Sequence, residues 1–446
     1  MSSYTLLILT ASSTLSAILI RLIWQRDVFF AIFFSMFVLY SVVAQWGYYL
    51  VPELSEIILR MHFGEEALAP AVVFTGFSLL ALFAGYGLIY RPLIRKESFR
   101  LIRTSSRSEM FLAAYAISLV VFAVIYFTLR DQLDYSNASD ESFLEAAGPL
   151  YSVFWQFYKF SVFGLLVSYA LLRNRIYRSA ASRQALWLMF GIHAGIFAAA
   201  TVSVGSRTDP LALLLGMIGF ELYARKVSVL ATQRRVKSYR RLPLGKIIIG
   251  SAIALAAMIW LESHRSGGST IRDDVDASTL AQAILLKDYY TPFHVLIGAM
   301  HHDYVAPVTA ITSNIANSLM FLGVDYLQFF VVEQWSPGTV TRSSSPALFA
   351  FAEGYVMFGW MGFLYNGAIW AAGIGLWRKL SRTNDEGFNA FAFSITFALA
   401  ATIARSQSSY LIKDIYLWFL PALALYALAA GLTPAMRRRK TALVSS

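Results

Sequence analysis

Apolar runs close to twenty residues long recur along the chain, separated by polar connections. About twenty residues of α-helix span the ~30 Å hydrocarbon core of a bilayer. A helix is required there because backbone exposed to lipid has to satisfy its own N–H and C=O groups. The pattern predicts an all-α polytopic membrane protein with about eleven transmembrane helices. They fall at 4–20, 28–50, 68–90, 110–129, 150–172, 185–204, 210–224, 247–261, 346–377, 388–404 and 411–431. The first run has no basic segment ahead of it and reads as a retained span rather than a cleaved signal. No linker divides the chain, so 1–446 reads as a single integral membrane domain. Between the eighth and ninth runs the pattern stops, leaving a large loop at 262–345. Within it, 279–300 is mildly amphipathic and aromatic, is broken by Pro292, and is expected to lie along the interface or to cap a cavity.

Composition agrees with the pattern. Of the 446 residues, 57% are hydrophobic and 14% charged, against about 25% charged in an average soluble chain. The mean hydropathy is +0.57. There is no cysteine, which excludes disulfides, thiolate metal sites and a cysteine nucleophile.

Charge orients the helices. Most of the 37 basic residues lie in alternate connections: Arg21 and Arg26, Arg91 to Arg107, Arg173 to Arg183, Arg225 to Lys246, Arg378 to Arg382, and Arg437 to Lys440. The excess of Lys and Arg on cytoplasmic loops assigns these segments to the inside. The N-terminus and the 262–345 loop are then outside. The formal charge of +11 follows from this topology, and no nucleic-acid partner is implied.

The exceptions to the bias carry the candidate chemistry. Gly205-Ser206-Arg207-Thr208-Asp209-Pro210 is a tight turn in which Asp209 suits an N-cap and Pro210 the first helical position. A helix N-terminus beside Arg207 is suited to an anion. Glu262-Ser263-His264-Arg265-Ser266-Gly267-Gly268 and the nearby Arg272 form a polar exit from the eighth run. Glu353 lies in Phe351 to Gly362, an apolar stretch where a carboxylate is costly unless it is paired; an outer arginine is the expected partner. Arg405 opens the turn Arg405-Ser406-Gln407-Ser408-Ser409-Tyr410, and Arg342 closes the large loop. Converging arginines suit a diphosphate, which they grip by bidentate, charge-assisted bonds. Histidine is a candidate general base at His294, His301 or His302. Asp273-Asp274-Val275-Asp276 contains an Asp-x-Asp of the kind that binds a divalent metal, but short acidic runs are common in loops, and His301-His302-Asp303 has no third ligand at helical spacing, so no metal is expected.

These residues resemble a family. A Gly-Ser-Arg turn, a large late outer loop and the run Glu-x-Tyr-x-x-Phe-Gly-x-x-Gly, here Glu353 to Gly362, resemble the O-antigen or oligosaccharide repeat-unit polymerases. The resemblance implies a glycosyltransferase with a GT-C-like fold in the bacterial inner membrane. It implies polymerisation of repeat units carried on undecaprenyl diphosphate, with a chain-length regulator as partner and no cofactor. The residues read above supply the site: Glu353, Arg207 and Arg265 are the catalytic candidates, and Arg272, Arg342, Arg405, Asp209, Tyr355, His264 and His301 the candidates for substrate contact. The related O-antigen ligases often carry a His-Asn pair in the large loop, which is absent here. A transporter of lipid-linked saccharides is the other class that polytopic helices and outer arginines allow.

Overall fold

The computed structural model describes residues 3–50, 65–95, 108–130, 180–204, 212–222, 293–320, 348–381 and 386–408, with scattered positions between 158 and 169 and Leu411. Among the described residues the secondary structure is helical throughout, with no strand. Among the described residues four helices are long and apolar enough to cross a membrane: Tyr4–Arg26, Val28–Leu50, Ala67–Arg95 and Gln184–Thr201. The chain is a helical membrane protein. The expected spans at 247–261 and 411–431, apart from Leu411, lie outside the described residues.

Two compact units share the chain. The first comprises Met1–Glu97, Gly268–Lys379 and Ala400–Lys413; the second comprises Ser98–Gly267, Leu380–Leu399 and Asp414–Ser446.

The first unit begins with α1 (Ser3–Arg26) and α2 (Val28–Leu50). Asp27 separates them and caps α2 by accepting from the Phe30 N–H at 3.1 Å. The buried positions of α1 are Thr5, Leu9, Ser12, Ser16, Leu19 and Ile23, whereas Leu7, Ile18 and Trp24 are exposed. Thr5, Ser12 and Ser16 thus face the protein together with Leu9, Leu19 and Ile23, while large apolar residues also line the outward face, which suits a helix surrounded by lipid. α3 is α-helical over Glu65–Gly85, widens to a π-helix at Tyr86–Tyr90 and closes with Arg91–Arg95. A similar π-helical segment interrupts α2 at Leu39–Val43.

One end of this unit is fixed by polar contacts. The Tyr90 hydroxyl donates to Asp27 at 2.8 Å, and the Arg378 guanidinium lies 4.6 Å from the centroid of the Phe29 ring. These contacts gather the start of α2, the end of α3 and the segment around Arg378, three places where the charge pattern assigns basic connections to one side.

In the second unit, α4 (Ser108–Leu129), α5 (Ala180–Val204) and α6 (Ala212–Leu222) are described. Tyr158 and Thr201 share a hydrogen bond of 3.0 Å, and the Tyr169 hydroxyl donates to the buried Glu221 at 2.8 Å. The Ser394 hydroxyl donates to the Gly216 carbonyl at 2.5 Å.

The large loop contains helical structure in the first unit. Residues 293–301 form α7, and Val308–Met320 forms α8. Positions 293–299 of α7 are all buried, so this part of the expected interfacial segment is packed on every side. The Tyr48 and His294 ring centroids are 5.8 Å apart, joining α7 to the far end of α2.

The expected ninth span is not one continuous helix. It is a pair, α9 (Ala350–Phe358) and α10 (Gly362–Leu380), joined by a 3₁₀ turn at Gly359–Met361. The two run antiparallel. Asn366 donates to the Phe351 carbonyl at 3.0 Å and the Trp370 indole to the Ala350 carbonyl at 3.4 Å. Two local features cause the reversal. Gly359 has φ +58°, a conformation that a side chain disfavours. Gly354 and Gly362 approach so closely that a Cβ on Gly362 would meet the Gly354 carbonyl. Nine residues of helix reach only about 13 Å, so α9 cannot cross a bilayer by itself. Its first residue, Ala350, instead lies beside Trp370, halfway along α10. The chain continues to α11 (Glu386–Arg405).

Candidate functional site

α9 starts among buried apolar residues: Leu348, Phe349, Ala350, Phe351 and Ala352 are all fully buried. The N-cap, Phe349, supplies no side-chain hydrogen bond to the helix start. Glu353 sits in this first turn, where a carboxylate complements the positive end of the helix dipole.

Glu353 is 0% exposed. Its Oε1 accepts from the Ser408 hydroxyl at 2.7 Å, the Asn314 amide at 3.0 Å and the Tyr365 hydroxyl at 3.4 Å. Its Oε2 accepts from the Ser408 backbone N–H at 2.6 Å. These four donors come from α8, α10 and the turn after α11. The sequence suggested an arginine partner for Glu353; all four of these partners are neutral. The carboxylate joins segments that are distant in sequence, and it is enclosed by protein donors with no face open to a substrate.

The other residues of the motif build the same hairpin. The Tyr355 hydroxyl donates to Asp303 at 3.1 Å. Asp303 is the one described non-glycine residue with positive φ, at 46°. It lies in the turn between α7 and α8, and the Ala306 N–H in that turn donates to the Val356 carbonyl at 2.7 Å. Phe358 packs on Tyr365 with ring centroids 5.1 Å apart. Gly359 makes the turn and Gly362 permits the close approach. Trp360 and Met361 are exposed at the tip, where Trp360 packs edge-on against Phe74.

Among the other candidates, Arg405 is half-buried at the end of α11, three residues before Ser408. His301 and His302 are exposed, with their rings 5.1 Å apart. Arg207, Asp209, His264, Arg265, Arg272 and Arg342 lie outside the described residues. Among the described residues there is no cluster of three or more His, Asp or Glu able to hold a metal ion.

Sequence reasoning passed over Asn314, Tyr365 and Ser408. Each is an uncharged polar residue of a common type, a weak signal by itself. The stronger signal was Glu353, because a buried carboxylate requires several donors from somewhere.

The chain matches no protein-family model, no curated protein and no solved structure. Fold and site define a class, a helical membrane protein with a buried carboxylate at the base of a half-length helical hairpin.

Proposed function

We propose that the protein polymerises oligosaccharide repeat units carried on undecaprenyl diphosphate at the periplasmic face of a bacterial inner membrane. It is a glycosyltransferase that works with a chain-length regulator and needs no cofactor, since the diphosphate donor is already activated. The observation that carries this reading is the Glu353 cage. It ties the large outer loop, the Glu353–Gly362 motif and the Arg405–Ser408 turn into one structure, and these are three of the regions where the sequence concentrates its outer polar residues. In this reading Arg207 and Arg265 stabilise the negative charge that develops on the leaving diphosphate. The enclosure of Glu353 favours a positioning role over proton abstraction, which leaves the exposed His301 as the better-placed base.

The test is direct. Purified protein given the lipid-linked repeat unit should yield a ladder of longer glycans. Unchanged single units would sink the proposal.

One observation favours a second reading. Broken helices with a polar group part-way through the membrane occur at the substrate sites of transporters. Proteoliposomes that move the lipid-linked saccharide across the bilayer without lengthening it would establish that alternative.

A further inference from the structure

The Glu353 cage leaves a buried charge facing neutral groups. A carboxylate removed from water is strongly disfavoured unless an opposite charge or a proton neutralises it. Its partners here supply dipoles only. Beside the cage is a second anomaly. Gln407, next to Ser408, is 0% exposed, and neither its amide oxygen nor its nitrogen has a hydrogen-bond partner among the described residues. A buried amide with both ends unsatisfied is costly in an apolar interior.

The oxygen geometry bears on the first of these, the buried charge. Glu353 Oε1, the Ser408 hydroxyl and the Tyr365 hydroxyl form a triangle with sides of 2.7, 3.4 and 3.4 Å. Hard cations bind oxygen at about 2.3–2.6 Å, and ligands at right angles around such an ion lie about 3.4 Å apart. Two sides already have that length, and the third lengthens when a turn of the Ser408 side chain about its Cα–Cβ bond moves the oxygen away from Glu353. Both hydroxyl protons can turn away, because hydroxyl oxygens accept as well as donate. One carboxylate with neutral oxygens balances a single positive charge.

We propose that Glu353, Ser408 and Tyr365 form a binding site for one alkali-metal cation, sodium by size. The bound ion neutralises the carboxylate and locks α9, α10 and the turn after α11 together. The site does not depend on the polymerase reading and applies equally to a transporter.

The experiment is thermal unfolding of the full-length protein in detergent. Sodium chloride is titrated against choline chloride at constant ionic strength, choline being too large for the cage. We expect sodium to raise the unfolding temperature by several degrees with saturation, as mass action requires of a ligand specific to the folded state. Glu353→Gln should abolish the shift. Tyr365→Phe keeps the carboxylate and should raise the half-saturating sodium concentration severalfold, which provides the comparison if Glu353→Gln fails to fold. A wild-type protein equally stable in sodium and choline overturns the proposal and leaves a proton as the neutralising charge. A shift of full size in either Glu353→Gln or Tyr365→Phe, with an unchanged midpoint, also overturns it, because the ion would then be bound elsewhere.

Discussion

Ser408 clasps both oxygens of Glu353, its backbone N–H on Oε2 and its hydroxyl on Oε1, across a separation of 55 residues. The backbone half of this clasp survives any substitution of the serine. The carboxylate half does not survive amidation, because an amide would point N–H groups at other donors. Ser408→Ala should cost about 1–3 kcal/mol, the range for a buried hydrogen bond to a charged group. Glu353→Gln should cost more than Ser408→Ala. Thermal unfolding of the purified variants in detergent checks the order, and equal stability of Glu353→Gln and wild type would contradict it.

The close approach of Gly354 and Gly362 gives a second prediction. Gly362→Ala places a methyl against backbone, which cannot move aside as a flexible side chain can. The expected loss is at least about 1–3 kcal/mol, as for an overpacked core. Gly76 on α3 has nothing within 4 Å of an added Cβ. Gly76→Ala should be neutral, or stabilising by up to about 1 kcal/mol through helix propensity. A protease-resistance assay on membranes from both variants separates the two outcomes.

The polymerase reading predicts that Arg207→Ala loses glycan elongation by about two orders of magnitude, the usual cost of removing one stabiliser of developing negative charge. Arg207→Lys should recover little, because a point charge cannot reproduce a planar two-point grip. Normal polymer from Arg207→Ala at wild-type expression would reduce Arg207 to a headgroup contact.

Sidedness is testable because the chain contains no cysteine. Single cysteines at Ser269 and Ser343 should react with a membrane-impermeant thiol reagent in intact cells, and one at Ser238 should not. The reverse pattern would invert the topology and place the proposed chemistry on the wrong side.

Much of the fold was legible because lipid imposes a simple rule on length and hydropathy. The run at 28–50 coincides with α2, and the runs at 68–90, 110–129 and 388–404 lie within described helices. The ninth run was misread for a definable reason. Hydropathy reports that a segment is apolar, but not that it reverses. The reversal depends on Gly359 adopting a positive φ and on two glycines meeting face to face, and both are properties of pairs and angles rather than of a sliding window. At the site, Glu353 was conspicuous in sequence because of its cost. Its donors were not, since an asparagine, a tyrosine and a serine acquire meaning only when the fold brings them to one carboxylate.

The half-length α9 also constrains how the protein is made. A nine-residue helix is too short to be held in the membrane as a stop-transfer segment, and its carboxylate is unwelcome in lipid until Ser408 arrives. Ser408 is translated 55 residues after Glu353, and at about 5–20 residues per second that delay is roughly 3–11 s. During this interval the ribosome has already delivered α10, while α9 has no finished place to go. The cage around Glu353 therefore closes late, after α11 has been delivered, although the hairpin that carries the glutamate has all of its own contacts earlier.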